Sequence, residues 1–244
     1  MKFYAVIIGT EILNARREDK HFTFLRDTLA KYNHELFASF IIKDDINLMK
    51  NIYKLILDDK ESVMFSFGGI GSTPDDLTRA IAAEVFTQEP LQRNKDFEKA
   101  IIERFKEDAY PHRIFMSDLP KESSLITNPV NNMSGFSLEN RFFFVPGFVE
   151  MSHPMIEQVI KTHFAKVKEK IRYTFIAQTS EDTLISIMNI LPKQVELSSL
   201  PMLHGTNGVS VEISLSGHDE ILLKQSLELF YKELEKKQIE YKNI

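Results

Sequence analysis

The sequence predicts an α/β protein, a three-layer domain around a mostly parallel sheet followed by a small α+β domain. Three observations lead there. Short apolar runs alternate with helical patterns over the first 90 residues, a Gly-rich loop follows the third run, and a βαββα order closes the chain after a charged stretch. Strands that alternate with helices of this length join by right-handed crossovers and lie parallel in one sheet.

Phe3 to Ile8 is a continuous apolar run ending at Gly9, as expected of a strand buried on both faces. A charged loop with Arg16, Arg17, Glu18, Asp19 and Lys20 leads to a helix carrying Phe22, Leu25, Leu29 and Tyr32 on one side. Leu36 to Ile42 is the second strand, and Asp44 and Asp45 start a helix with Met49, Ile52 and Ile56 on one face. Val63 to Phe67 is the third strand, and Leu77 to Phe86 the helix after the Gly-rich loop. Another helix carries Phe97, Ile101 and Phe105. Ser123–Thr127, Gly135–Leu138 and Arg141–Val145 are close enough together for hairpins at the sheet margin. Pro146 and Gly147 then break the chain before a helix in which Met151, Met155 and Val159 are expected to pack in the core.

The spacing places one domain over residues 1–165 and a second over 171–244, divided by the basic stretch Lys166 to Lys170. In the second domain the expected elements are strands at Ile171–Ala177, Val195–Leu200 and Val209–Leu215, with helices at Leu184–Leu191 and Ile221–Lys236.

Composition narrows the function. Thirty basic and 35 acidic residues give a net charge of −5, which disfavours general nucleic-acid binding because that needs a positive footprint. The absence of cysteine excludes disulfides, thiolate metal ligands and thiol nucleophiles. No run approaches the ~20 apolar residues of a membrane span, and the N-terminal run lacks the form of a signal peptide, so a cytoplasmic location is expected. No Ser-His-Asp order or G-x-S-x-G elbow is present. His112, His153, His163, His204 and His218 show no ligand spacing and read as surface residues.

The segment Gly68-Gly69-Ile70-Gly71-Ser72-Thr73-Pro74-Asp75-Asp76 carries the chemistry. It leaves a buried strand where open α/β sheets bind ligands, and glycines let backbone N–H groups approach an anion ahead of a helix N-terminus. Thr73, Pro74 and Asp76 can equally be a helix start, with Thr at the cap and Asp three residues on. That alternative leaves Asp75 and the glycines unexplained. Two carboxylates ~4 Å apart repel by about 4 kcal/mol at an effective dielectric of 20. Beside a phosphate they call for a bridging divalent cation such as Mg²⁺.

GGIGSTPDDLT resembles the signature of the molybdopterin-binding domain family, in its competence/damage-inducible branch. Gly9-Thr10-Glu11-Ile12-Leu13, Asp19-Lys20-His21, Asp44-Asp45, and the set Asn128, Gly135-Phe136, Pro146-Gly147 and Glu150-Met151 match further motifs of that family in the same order. The likeness covers about residues 1–165 and is to the short form, without the amidase domain of longer members. It implies a Rossmann-like domain, a homodimer or other homo-oligomer, and a small phosphorylated ligand, either ADP-ribose-like or a pterin. The activities it implies are metal-dependent hydrolysis of a nucleotide diphosphate such as ADP-ribose or, alternatively, molybdopterin binding or adenylylation. A nucleotide or pterin sensor without turnover is a third reading. By the same likeness Gly9, Glu11, Lys20, His21, Gly68, Gly69, Gly71, Ser72 and Thr73 would contact phosphate or nucleotide. Asp75 and Asp76 would be catalytic, and Asp44, Asp75 and Asp76 would hold the metal. The departures are His21 for the family's Asn and Ser72 for a frequent Pro.

Overall fold

The computed structural model describes residues 1–203 and 208–244, in two units, Met1–Val167 and Lys168–Ile244. The expectation for His204 lies outside the described residues.

In the first unit the order is β1 (Lys2–Ile8), α1 (Thr10–Leu13), α2 (His21–Lys31), β2 (Leu36–Ile42), α3 (Ile46–Asp58), β3 (Ser62–Phe67) and α4 (Thr78–Ala82). There follow β4 (Gln92–Arg93), α5 (Lys95–Phe105), β5 (Asp118–Leu119), β6 (Ser124–Ile126), β7 (Gly135–Leu138), β8 (Phe142–Val145) and α6 (Val149–His163). Six strands form one sheet in the order β2-β1-β3-β8-β7-β6. The pairs β1–β2, β1–β3 and β3–β8 are parallel, and β7 and β6 add an antiparallel margin. Gly9, Asp44 and Gly68 therefore leave the sheet at the same edge.

Side-chain alternation along the central strands separates two cores. Tyr4, Val6 and Ile8 of β1 and Phe142 and Phe144 of β8 meet Met49, Tyr53 and Ile56 of α3. Phe3, Ala5 and Ile7, with Phe65, Phe67 and Phe143, meet Leu25 and Leu29 of α2 and Met155, Ile156 and Ile160 of α6. A sheet buried on both faces needs strands that are apolar at every position, and β3 is buried at all six. The polar Ser66 of β3 is accommodated by a 2.9 Å hydrogen bond with the Tyr53 hydroxyl.

The helix after the Gly-rich loop starts at Thr78, one residue after the expected Leu77, and widens into a π-turn at Ala83–Thr87, so the alternative start at Thr73 is not taken. Pro74 and Asp75 form a turn first, with the Asp76 N–H donating to the Thr73 carbonyl at 3.0 Å. The Thr73 hydroxyl donates to the Asp76 carboxylate instead of capping a helix.

The second unit contains β9 (Ile171–Ala177), α7 (Ile185–Met188), β10 (Glu196–Leu203), β11 (Val209–Gly217), α8 (Glu220–Lys236) and β12 (Tyr241–Asn243). Its antiparallel sheet has the order β10-β11-β9-β12. Leu223, Phe230 and Leu234 of α8 pack on Phe175, Ile213 and Leu215. The strand β12 was not expected; three residues are too few to display a period of two.

Candidate functional site

The Gly-rich loop is built from inside by the helix that follows it. The Thr78 hydroxyl donates to the Gly68 carbonyl at 2.9 Å and the Thr78 N–H to that of Gly69 at 3.0 Å. Arg79 donates from Nη1 to the carbonyls of Ile70 at 2.7 Å and Gly71 at 2.5 Å. Four consecutive carbonyls are thereby drawn toward α4. Because a trans peptide sets C=O and the next N–H on opposite sides, the N–H groups of Gly69, Ile70, Gly71 and Ser72 are turned the other way. None of those four donates to a described residue. Orphan N–H groups in a row form an anion-binding concavity.

The glycines are required by this packing. Gly68 has φ +100°, and a Cβ there would lie 2.6 Å from the Ile8 carbonyl oxygen. Gly69 has φ +68°, and a Cβ would collide with the Thr78 hydroxyl. At Gly71 a Cβ would lie 2.5 Å from the Asp76 carboxylate. Arg79 is only 8% exposed, and burial lowers its pKa, so its charge sits desolvated under the loop.

A cavity of about 540 Å³ opens over the loop. Of the expected site residues, Glu11, Asp44, Gly68, Gly69, Gly71, Ser72, Thr73, Asp75 and Asp76 all line it. Gly9, Lys20 and His21, expected as phosphate contacts, do not. Gly9 turns the chain from β1 into α1, with its N–H donating to the Ile42 carbonyl at 3.0 Å. Lys20 is exposed beside the start of α2. His21 is 4% exposed and stacks on Phe67, with its Nε2 3.3 Å from the Gly147 carbonyl. Burial lowers its pKa against the opposing charge of Asp19.

His153, expected at the surface, stacks on Phe24 with 3.6 Å between centroids and faces the His21 ring edge-on at 5.3 Å. Burial pushes its pKa down to about 4, helped by the neighbouring His21. Met151, expected in the core, lines the cavity instead, while Met155 and Val159 are buried as expected.

The carboxylates differ in how far they are committed. Oδ2 of Asp44 accepts from the Thr10 hydroxyl at 2.8 Å and from the Thr10 N–H at 3.2 Å, fixing the start of α1. Oδ2 of Asp76 accepts from the Thr73 N–H at 2.8 Å and its hydroxyl at 2.6 Å. The Thr73 hydroxyl also holds the neighbouring Asp75 carboxyl below its ordinary value. Four carboxylates but only two guanidiniums, Arg17 and Arg113, line the cavity. An anion entering it meets an excess of negative side chains that a cation would offset. Among the described residues no three acidic or histidine groups cage an ion by themselves.

Several residues of the site escaped sequence reading. Thr78 ends the motif GGIGSTPDDLT without a visible task, Arg79 is an ordinary helix cation in sequence, and Arg113, Asn131 and Ser134 come from distant segments.

Fold and site together define a three-layer, Rossmann-like α/β domain with an acid-lined cavity and a Gly-rich loop at the carboxyl edge of its parallel strands. The model of the family described as "Probable molybdopterin binding domain" matches residues 4–166, and the chain belongs to this family. A CinA-like protein of Sulfurihydrogenibium sp. is 28% identical over 97% of this chain and 57% of its own length. Protein Ta0487 of Thermoplasma acidophilum is 24% identical over 93% of each chain. The chain thus spans about half the length of some curated relatives and nearly all of others. The crystal structure of the protein CinA from Thermoplasma acidophilum, described as of unknown function, aligns with a TM-score of 0.61 at 22% identity. That alignment covers 67% of this chain and 98% of the other, and it establishes likeness of fold. Among the described residues no helix is long and apolar enough to cross a membrane.

Proposed function

We propose that the cavity binds a phosphorylated small molecule of pterin type, with its phosphate on the loop Gly68–Thr73. A divalent cation would lie between that phosphate and Asp44, Asp75 and Asp76. The observation that carries the reading is the row of four N–H groups, Gly69 to Ser72, unpaired among the described residues, on a loop whose carbonyls from Gly68 to Gly71 are held by Thr78 and Arg79. Such a row favours an oxyanion, and membership of the molybdopterin-binding family favours a pterin over a nucleotide diphosphate as its bearer. The cation follows from the excess of carboxylates at the same cavity.

Hydrolysis of a diphosphate such as ADP-ribose is the second reading. In its favour, Asp75 is kept ionised at the cavity and can orient a water molecule toward a metal-bound phosphate. Titration calorimetry with a phosphorylated pterin and with ADP-ribose, each with and without Mg²⁺, tests both when product analysis is added. Metal-dependent pterin binding is expected. Turnover of ADP-ribose without pterin binding would shift the assignment to the second reading, and no binding of either overturns the site.

A homo-oligomer is part of the proposal. Among the described residues the outer strand β2 has no partner on its free side, and it leaves Phe37 58% exposed, which suits pairing with a second copy. Light scattering on the purified chain tests it, and a monomeric mass overturns it.

A further inference from the structure

One aromatic side chain at the cavity has no explanation in the fold. Phe148 is 59% exposed and belongs to neither core of its unit. A single exposed phenylalanine is ordinary. This one, however, lines the cavity, and the Arg17 guanidinium, also on the lining, lies 5.9 Å from its ring centroid. Arg17 is steered there by Glu11, 3.8 Å away.

The backbone under the ring is fixed, although the ring is exposed. The Phe148 carbonyl accepts from the Met151 N–H at 3.0 Å, the Ser152 N–H at 2.9 Å and the Ser152 hydroxyl at 2.9 Å. The preceding carbonyl, of Gly147, meets His21 Nε2 at 3.3 Å. Gly147 also lies against the loop, where a Cβ would be in van der Waals contact, 3.4 Å, with the Gly68 Cα. Phe148 therefore stands one residue from a backbone contact with the phosphate loop, on a rigid base.

A π-face flanked by a guanidinium recognises a flat conjugated ring, which can stack on one and be capped by the other. We infer that Phe148 and Arg17 form the subsite for the planar heteroaromatic ring of the ligand whose phosphate the Gly68–Thr73 loop takes. The inference rests on the proposed phosphate site and adds what selects among phosphorylated molecules: a ring held against Phe148.

The test compares ring-bearing and ringless probes on the intact chain. Affinities for ADP-ribose, a phosphorylated pterin and pyrophosphate are measured with Mg²⁺ for the native protein and for Phe148→Ala, Phe148→Leu and Phe148→Trp. The expected result is at least a tenfold loss for a ring-bearing probe in Phe148→Ala and Phe148→Leu, with pyrophosphate changed less than twofold and affinity retained in Phe148→Trp. Because the native chain has no tryptophan, Phe148→Trp also supplies a single indole reporter at the subsite. The emission of that variant should change saturably with the phosphorylated pterin or ADP-ribose, whichever the native chain binds, and not with pyrophosphate. If ring-bearing probes bind Phe148→Ala as well as they bind the native chain, the ring subsite is overturned while the phosphate site stands. If the native chain binds none of the three, the phosphate site falls and the subsite with it.

Discussion

The loops that leave β1 and β3 start from neighbouring parallel strands at one edge of the sheet, and both open on glycine. They behave differently. After β3, Thr78 and Arg79 occupy the four successive carbonyls of Gly68 to Gly71, and the N–H groups of Gly69 to Ser72 are left without a partner among the described residues. After β1, the chain turns at once into the short helix α1, whose first N–H is taken by Asp44. The Arg16 and Arg17 N–H groups close on the Glu11 carbonyl at 2.9 and 3.0 Å. The loop after β3 is held from below by a buried cation and keeps four donors in a row open, whereas the loop after β1 spends the N–H groups of Gly9, Thr10, Ile12, Arg16 and Arg17 within its own neighbourhood. A glycine after a parallel strand therefore says little until it is known what its carbonyls bond to.

The largest expected effect separates the two glycines directly. Gly68→Ala needs φ +100° with a backbone oxygen 2.6 Å from the new Cβ, neither of which can yield cheaply. It should destabilise the first unit by about 3 kcal/mol. Gly9→Ala meets only the ends of the Glu11 and Ile12 side chains, at 3.2 to 3.3 Å, on extended backbone at φ −178°. Its cost should be below about 1 kcal/mol. Melting curves of the two variants check the contrast, and equal costs would break the comparison.

Next come the acids. Asp76→Ala removes the acceptor of two Thr73 hydrogen bonds and should cost about 1 kcal/mol as well as metal-dependent affinity. Asp75→Ala should leave the melting temperature in place while lowering Mg²⁺-dependent binding of a phosphorylated probe about tenfold, a factor worth ~1.4 kcal/mol. Normal binding by Asp75→Ala removes that acid from the site.

A smaller effect belongs to the histidines behind the β1 loop. His153 is lowered from 6.5 to about 4, mainly by burial, with His21 adding and Glu150 and Asp19 opposing. Between those values an unfolded chain takes up a proton that the folded chain refuses. This contribution is therefore intact above pH ~6.5, declines as the pH falls through the window, and levels off below about 4. Solvent screening limits it to on the order of 1 kcal/mol. His153→Phe, which keeps the stack on Phe24, should flatten the acid limb of a stability-versus-pH curve. The smallest effect is Lys20→Ala, which should alter probe affinity less than twofold, since Lys20 does not line the cavity.

Read by itself, the sequence determined the alternation of strands and helices, the parallel arrangement of the first three strands in one sheet, the family and the loop on which the cavity is built. These depend on local periodicity and on residues adjacent in the chain, such as the buried run of β3 and the motif GGIGSTPDDLT. Only tertiary structure decided which polar groups face the cavity. His21 and Lys20 follow the loop after β1, yet one is stacked under Phe67 and the other is in solvent. Arg79 and Phe148 carry no motif that marks them, yet one supports the Gly-rich loop and the other stands exposed at the cavity. Thr73 and Asp76 fit a helix cap by spacing, but they bond to each other because Thr78 and Arg79 draw the start of the helix down to the loop carbonyls. Spacing along a chain records which backbone conformations are cheap. The direction of a side chain depends on which distant group competes for it, and that competition is settled only when the layers pack.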